Sequence, residues 1–135
     1  MQIEAQVRQF GRTTAEGIAR SHHVLIDRPT EKGGADEGMM GGEYLLIALG
    51  GCLMSNFIAA ALARRADIQN ARAHVIGTLA GSPSRFTGIE IAVGADGVDT
   101  ALLHKLVEIA DRGCIIANTL RGTVDLRVLV ENTAP

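Results

Sequence analysis

The chain has 135 residues, 47% of them hydrophobic and 21% charged, the size and make-up of one globular domain. Thirteen Lys and Arg against fifteen Asp and Glu leave a net charge of -2, and aromatic residues make up only 3%. That balance excludes the basic surface of a nucleic-acid binder and any aromatic platform for stacking bases.

Ile3, Ala5 and Val7 alternate with polar neighbours, and Val24, Leu25 and Ile26 form a short apolar run. With turns expected at Gly11 and around Glu16-Gly17, the first 27 residues predict two or three short antiparallel strands. Residues 28–42 hold five glycines and one proline and read as a loop. Tyr44 to Ala63 then runs without a charge up to Arg64-Arg65. Its length suits a membrane span. Ser55, Asn56 and the Gly50-Gly51 pair interrupt it, however, and amphipathic strands flank it. It is better read as a helix apolar on nearly every side, which must be buried all round. A chain this short can hardly bury a helix of about 30 Å by itself. The expectation is a homodimer with this helix near the subunit interface and no membrane contact. Gly50 and Gly51 each weaken a helix by roughly 1 kcal/mol. They point either to close approach by another element or to room for a substrate beside Cys52.

Alternation over Ala71–Leu79 and at Ile89, Ile91 and Val93, broken by Gly81-Ser82-Pro83-Ser84, predicts a β-hairpin. Asp99 can cap a helix over 100–112, whose Leu102, Leu103, Leu106, Ile109 and Ala110 fall at helical spacing. Gly113 is the expected stop, and Cys114–Leu120 fits one further short helix. Val124, Leu126, Val128 and Val130 share one face of a last strand. The expected fold is α+β, a single domain over 1–135, with antiparallel sheets packed on the long buried helix and the amphipathic one. Met1–Phe10 has no apolar leader, so a cytoplasmic location is expected. There a disulfide would be catalytic or redox-sensing.

His22, His23, His74 and His104 stand at no metal-ligand spacing and read as surface or strand residues. The glycines at 33–42 lack the Lys-Ser/Thr end of a phosphate-binding loop. Neither a metal nor a cofactor is expected. The two cysteines, Cys52 and Cys114, are the informative pair. Cys52 reads either as a small buried hydrophobe or as a nucleophile. Cys114 follows a helix stop, where a thiol can be partly exposed. A nucleophilic thiolate needs a nearby cation, and none lies within nine residues before Cys52. An activating Arg would have to come from elsewhere in the fold or from another subunit.

GGEYLLIALGGCLMS (41–55) followed by EIADRGCIIANTLRG (108–122) resembles the OsmC/Ohr family, the osmotically inducible protein C and organic hydroperoxide resistance proteins. The OsmC-like branch carries Gly-Pro-x-Pro-x-Glu-Leu-Leu-Leu-x-x-Leu-Gly-x-Cys. Gly38, Glu43, Leu45, Leu46, Leu49, Gly50 and Cys52 match it in register, and Cys114, Leu120 and Val124 fit a second signature. Met39 and Gly41 stand where the family has prolines, and Ile115 replaces the proline after Cys114. The resemblance implies an OsmC-like intertwined homodimer and a thiol peroxidase that reduces organic hydroperoxides. Cys52 would be peroxidatic and Cys114 resolving, with a dithiol reductant closing the cycle. The resemblance also implies an Arg that stabilises the thiolate and a Glu that orients it. Glu43 takes the second role by register. Arg28 is the candidate for the first, with Arg12 and Arg8 as rivals. The other reading is a non-peroxidatic member that binds a small apolar ligand or senses oxidants.

Overall fold

The structure, a computed structural model, describes residues 1–131. The chain falls into two compact units, Met1–Leu45 and Leu46–Pro135.

In the first unit, β1 (Gln6–Gln9), β2 (Ala15–Ala19) and β3 (His22–Ile26) form an antiparallel sheet in that order. The turn expected at Glu16-Gly17 lies instead at Arg20-Ser21, where Arg20 takes a positive φ of 55°. Gly17 is instead a strand residue in a tight position: a Cβ there would sit 3.2 Å from Val24 Cγ2 and 3.3 Å from Ile26 Cδ1. The glycine-rich stretch that follows is loop, apart from one tight helical turn at Thr30–Lys32. Asp27, only 3% exposed, organises it. Its carboxylate accepts from Thr14 Oγ1 (3.0 Å) and from the amides of Arg28 (2.7 Å), Ala35 and Glu37 (both 3.2 Å). Burial opposes ionisation of Asp27, but these donors outweigh it and hold the carboxyl below its usual range.

Helix α1 (Gly41–Ala63) opens in the first unit and continues into the second, where its apolar residues build the core. The second unit also holds β4 (Gln69–Ala80), β5 (Arg85–Asp96), α2 (Thr100–Gly113), α3 (Ile115–Leu120) and β6 (Asp125–Val130). Asp99 caps α2 as expected, accepting from Leu102 N at 2.8 Å. The β4–β5 hairpin is antiparallel, but β6 pairs parallel to β5. This sheet is therefore mixed, a departure from the antiparallel arrangement expected. The cause is the connection: α2 and α3 return the chain along the sheet, so β6 enters in the direction of β5.

Leu49, Leu53 and Phe57 of α1, Ile91 and Val93 of β5, and Leu106 and Ala110 of α2 are fully buried. The spacing 49, 53, 57 places one α1 face in this core. The opposite side keeps Ile47, Ile58 and Leu62 exposed, so its own chain does not bury the helix all round. Among the described residues, α1 is the one helix long and apolar enough to cross a membrane, with a mean hydropathy of 2.1 over an 18-residue stretch.

Candidate functional site

Helix α1 seats Cys52. Gly50 is buried, and a Cβ on it would lie 3.1 Å from Val75 Cγ2 of β4. Gly77 of β4 repeats the close approach, because a Cβ there would meet Leu46 Cδ2 at 3.0 Å. Gly51 differs: nothing lies within 4 Å of the place its Cβ would take. The two readings of the glycine pair are thus divided between its members. Gly50 serves helix–strand packing, and Gly51 leaves open space one residue from Cys52.

Cys52 is half-buried and Cys114 fully buried, both as free thiols. This reverses the exposure expected for Cys114. The helix stop does not release Cys114 to solvent, because a second helix begins at once. Cys114 is the N-cap of α3, and its Sγ accepts from Ala117 N at 3.3 Å. Burial pushes the Cys114 thiol up from its ordinary value. The amides of Ala117 and Ile116 pull it down, and the adjoining Cys52 thiol adds to the rise. Two residues 62 positions apart in sequence are therefore close enough for their thiols to influence each other, Cys52 half-buried and Cys114 fully buried.

Sequence reasoning missed Asn56, one helical turn after Cys52. Its Nδ2 donates to Ala110 O at 3.4 Å. The signal available was an amide in an otherwise apolar helix, a group that must find a partner when shielded from water.

The charged candidates lie in the first unit. Glu43 stands in the first turn of α1, and its Oε1 accepts from Met40 N at 2.9 Å, tying down the helix start. Arg28 is exposed, and with Lys32 and Thr13 it lines a cavity of about 490 Å³. Arg28 and Glu43 are not brought into an ion pair, and among the described residues neither Arg28 nor Arg12 forms one. Arg8 is already engaged: its guanidinium lies 2.7 Å from Glu16, which His23 flanks at 3.3 Å. The hydrogen bond from Arg8 is the main cause that holds the Glu16 carboxyl low. His22, His74 and His104 are exposed.

A family model described as OsmC-like protein matches residues 33–128, well over half of the chain. No curated protein matches. Among solved structures, a hypothetical protein from Aquifex aeolicus superposes with a TM-score of 0.83 at 16% identity, covering 97% of this chain and 96% of that one. An organic hydroperoxide resistance protein OsmC from Legionella pneumophila superposes with a TM-score of 0.75 at 18% identity, covering 98% of each chain. The organic hydroperoxide resistance protein OhrB of Bacillus subtilis superposes with a TM-score of 0.70 at 16% identity, covering 97% of this chain and 98% of that one. At such identities the likeness is one of fold. The matched stretch contains Glu43, Cys52 and Cys114 and covers well over half of the chain: the chain belongs to the OsmC-like protein family.

Proposed function

We propose that the protein is a thiol peroxidase that reduces organic hydroperoxides to alcohols. The observation that carries this reading is the thiol pair: a half-buried Cys52 adjoining a buried Cys114, at the two signature positions. In the first step the Cys52 thiolate attacks the terminal oxygen of R–O–O–H. An S–O bond forms, the O–O bond breaks, and the alkoxide takes a proton and leaves as the alcohol. Sulfur is oxidised to sulfenic acid. Cys114 then gives up its proton as its sulfur attacks Cys52. An S–S bond forms and water leaves. A dithiol reductant exchanges with this disulfide, restores both thiols and is itself oxidised.

Arg28 is proposed to stabilise the thiolate and the departing oxygen, with Glu43 orienting it. Its guanidinium is free of ion pairs among the described residues, whereas that of Arg8 is taken. The two units are proposed to work as one domain, 1–135, because the family match runs through both. The exposed Ile47, Ile58 and Leu62 support a homodimer that covers the outer face of α1. The proposed location is the cytoplasm, where a dithiol reductant is at hand.

The test adds one equivalent of cumene hydroperoxide and follows thiol titre and mass. Loss of both thiols with a Cys52–Cys114 bond supports the proposal. C52S should consume no peroxide, and C114S should react once and stall at the sulfenic acid. Continued turnover in both variants would sink the mechanism. Cumene hydroperoxide should also outpace hydrogen peroxide in kcat/KM. Two buried methylenes, at about 0.8 kcal/mol each, would give roughly tenfold.

A further inference from the structure

We infer that Asn56 is a positioning residue for the resolving sulfur, holding the α2–α3 corner so that Cys114 faces Cys52. The inference rests on the thiol reading above. Its basis is the way α2 ends. In a continued helix the amide of Cys114 would donate to Ala110 O, four residues back. It donates instead to Asp111 O at 3.2 Å, three residues back, which tightens the last turn and ends α2 at Gly113. Ala110 O thereby loses its helical donor, in a residue that is 0% exposed. An unpaired carbonyl in such a place is costly.

Asn56 supplies the missing donor from another element, at 3.4 Å. The same amide faces Gly113: a Cβ there would stand 3.4 Å from Asn56 Nδ2 and 3.7 Å from its Cγ, an ordinary contact. Arg112 O is satisfied within the corner itself, by Asn118 Nδ2 at 3.1 Å. Among the described residues, two side-chain amides bond carbonyls at this helix end, those of Asn56 and Asn118, and of these the one from Asn56 reaches α1. Asn56 follows Cys52 by four residues, so the two share a helix face. The tie therefore runs from the Cys52 face to the last turn of α2, which ends just before Cys114.

Without that donor, the corner can recover the lost bond by extending α2 through Cys114. One added helical residue turns a side chain through about 100°. The extension would also end the hold of Cys114 on Ala117 N and carry its sulfur away from Cys52. Attack on hydroperoxide does not use Cys114, so the first step should be spared. Condensation of the Cys52 sulfenic acid with Cys114, which forms the S–S bond and releases water, should not.

The experiment mixes reduced full-length protein with cumene hydroperoxide and follows peroxide loss and disulfide formation separately, with dimedone to trap sulfenic acid. Asn56→Ala should keep the first rate within about twofold and slow disulfide formation about tenfold or more, with the dimedone adduct accumulating. Asn56→Asp keeps the shape but lacks the N–H, and it should behave like Asn56→Ala. It also serves in place of the alanine variant should that one fail to fold. Asn118→Ala, which leaves the tie to α1 intact, should form the disulfide at close to the wild-type rate. Equilibration in dithiothreitol buffers, which needs no peroxide, should show the Cys52–Cys114 disulfide less favoured in both Asn56 variants. Wild-type rates and equilibria in both would overturn the inference. So would a wild-type rate in Asn56→Asp, or an equal slowing in Asn118→Ala. If the wild type forms its disulfide in redox buffer but not with hydroperoxide, the peroxidase reading falls while the buffer measurement still decides the role of Asn56. If it forms none in either, both fall.

Discussion

Replacing Gly77 by alanine tests the seat of the Cys52 helix. A Cβ at Gly77 would lie 2.6 Å and 2.8 Å from two ring carbons of Phe86 and 3.0 Å from Leu46 Cδ2. Carbon atoms pack best at about 3.5–4.0 Å, so the ring would have to shift by roughly 1 Å. The aromatic ring covers the glycine, a device that lets a strand carry Gly without losing packing. Leu46 blocks the other side from α1. Overfilling such a contact costs about 1–3 kcal/mol. Removing a glycine from a strand returns about 0.5–1 kcal/mol. The net expectation is a loss of about 1–2 kcal/mol, read as a lower urea midpoint at unchanged slope. Phe86→Leu takes away the clashing ring carbons. In the double variant the alanine should cost little, with a coupling energy of about 1 kcal/mol. Disulfide formation in Gly77→Ala should slow as well, because the displaced helix carries Cys52. A Gly77→Ala protein as stable as the wild type, or a coupling energy near zero, would refute the close packing of Phe86 on Gly77.

Three further outcomes follow from the described geometry. The resolving step should quicken as pH rises, by about tenfold per unit while Cys114 stays mostly protonated, because burial raises its ionisation above the ordinary value. Stopped-flow measurement of disulfide formation checks this, and a pH-independent rate from neutral to mildly alkaline pH would count against it. Asp27→Asn should lower stability near neutral pH and flatten the acid limb of the stability curve. The folded carboxyl titrates below its ordinary 3.8, so its contribution is full above that range and is lost as pH falls through the lower folded value. Urea midpoints at neutral pH and near pH 3 give the comparison, and equal acid slopes in wild type and variant would contradict it. Arg28→Ala should slow the reaction with hydroperoxide by about a hundredfold, the scale of losing one charge-stabilising donor, and Arg12→Ala by much less. Single-turnover rates decide between them, and the reverse ranking would move the role to Arg12.

The sequence carried the hairpin, the Asp99 cap, the stop at Gly113 and the two cysteines, because each depends on local chemistry or fixed spacing. What it did not carry depends on distant partners. Alternation at Leu126, Val128 and Val130 reads the same whether a strand runs parallel or antiparallel, so the direction of β6 was hidden. Gly17 looked like a turn residue because a glycine shows only what it permits. The side chains that need its empty position, Val24 and Ile26, belong to the next strand. Gly50 and Gly51 were indistinguishable for the same reason. The exposures of Cys52 and Cys114 were reversed because helix content says how apolar a segment is, not which of its residues its own chain covers. A six-residue helix starting at Cys114 buries that sulfur, while the longest apolar helix leaves Cys52 half-open.

Asn56 lies between these cases. Between Glu43 and Arg64, Tyr44, Ser55 and Asn56 are the only uncharged polar side chains, and Asn56 alone carries an amide, with two donors and two acceptor sites to satisfy. Its presence in that helix announces a partner, but not which one. The partner is a carbonyl made free by the ending of a different helix, and that ending places the second sulfur. Two features legible separately, an amide one turn after Cys52 and a glycine stop just before Cys114, are thus one piece of chemistry. On the inference drawn above, the two belong together: the early end of α2 leaves Ala110 O without its i+4 donor, and the amide from the Cys52 helix meets it.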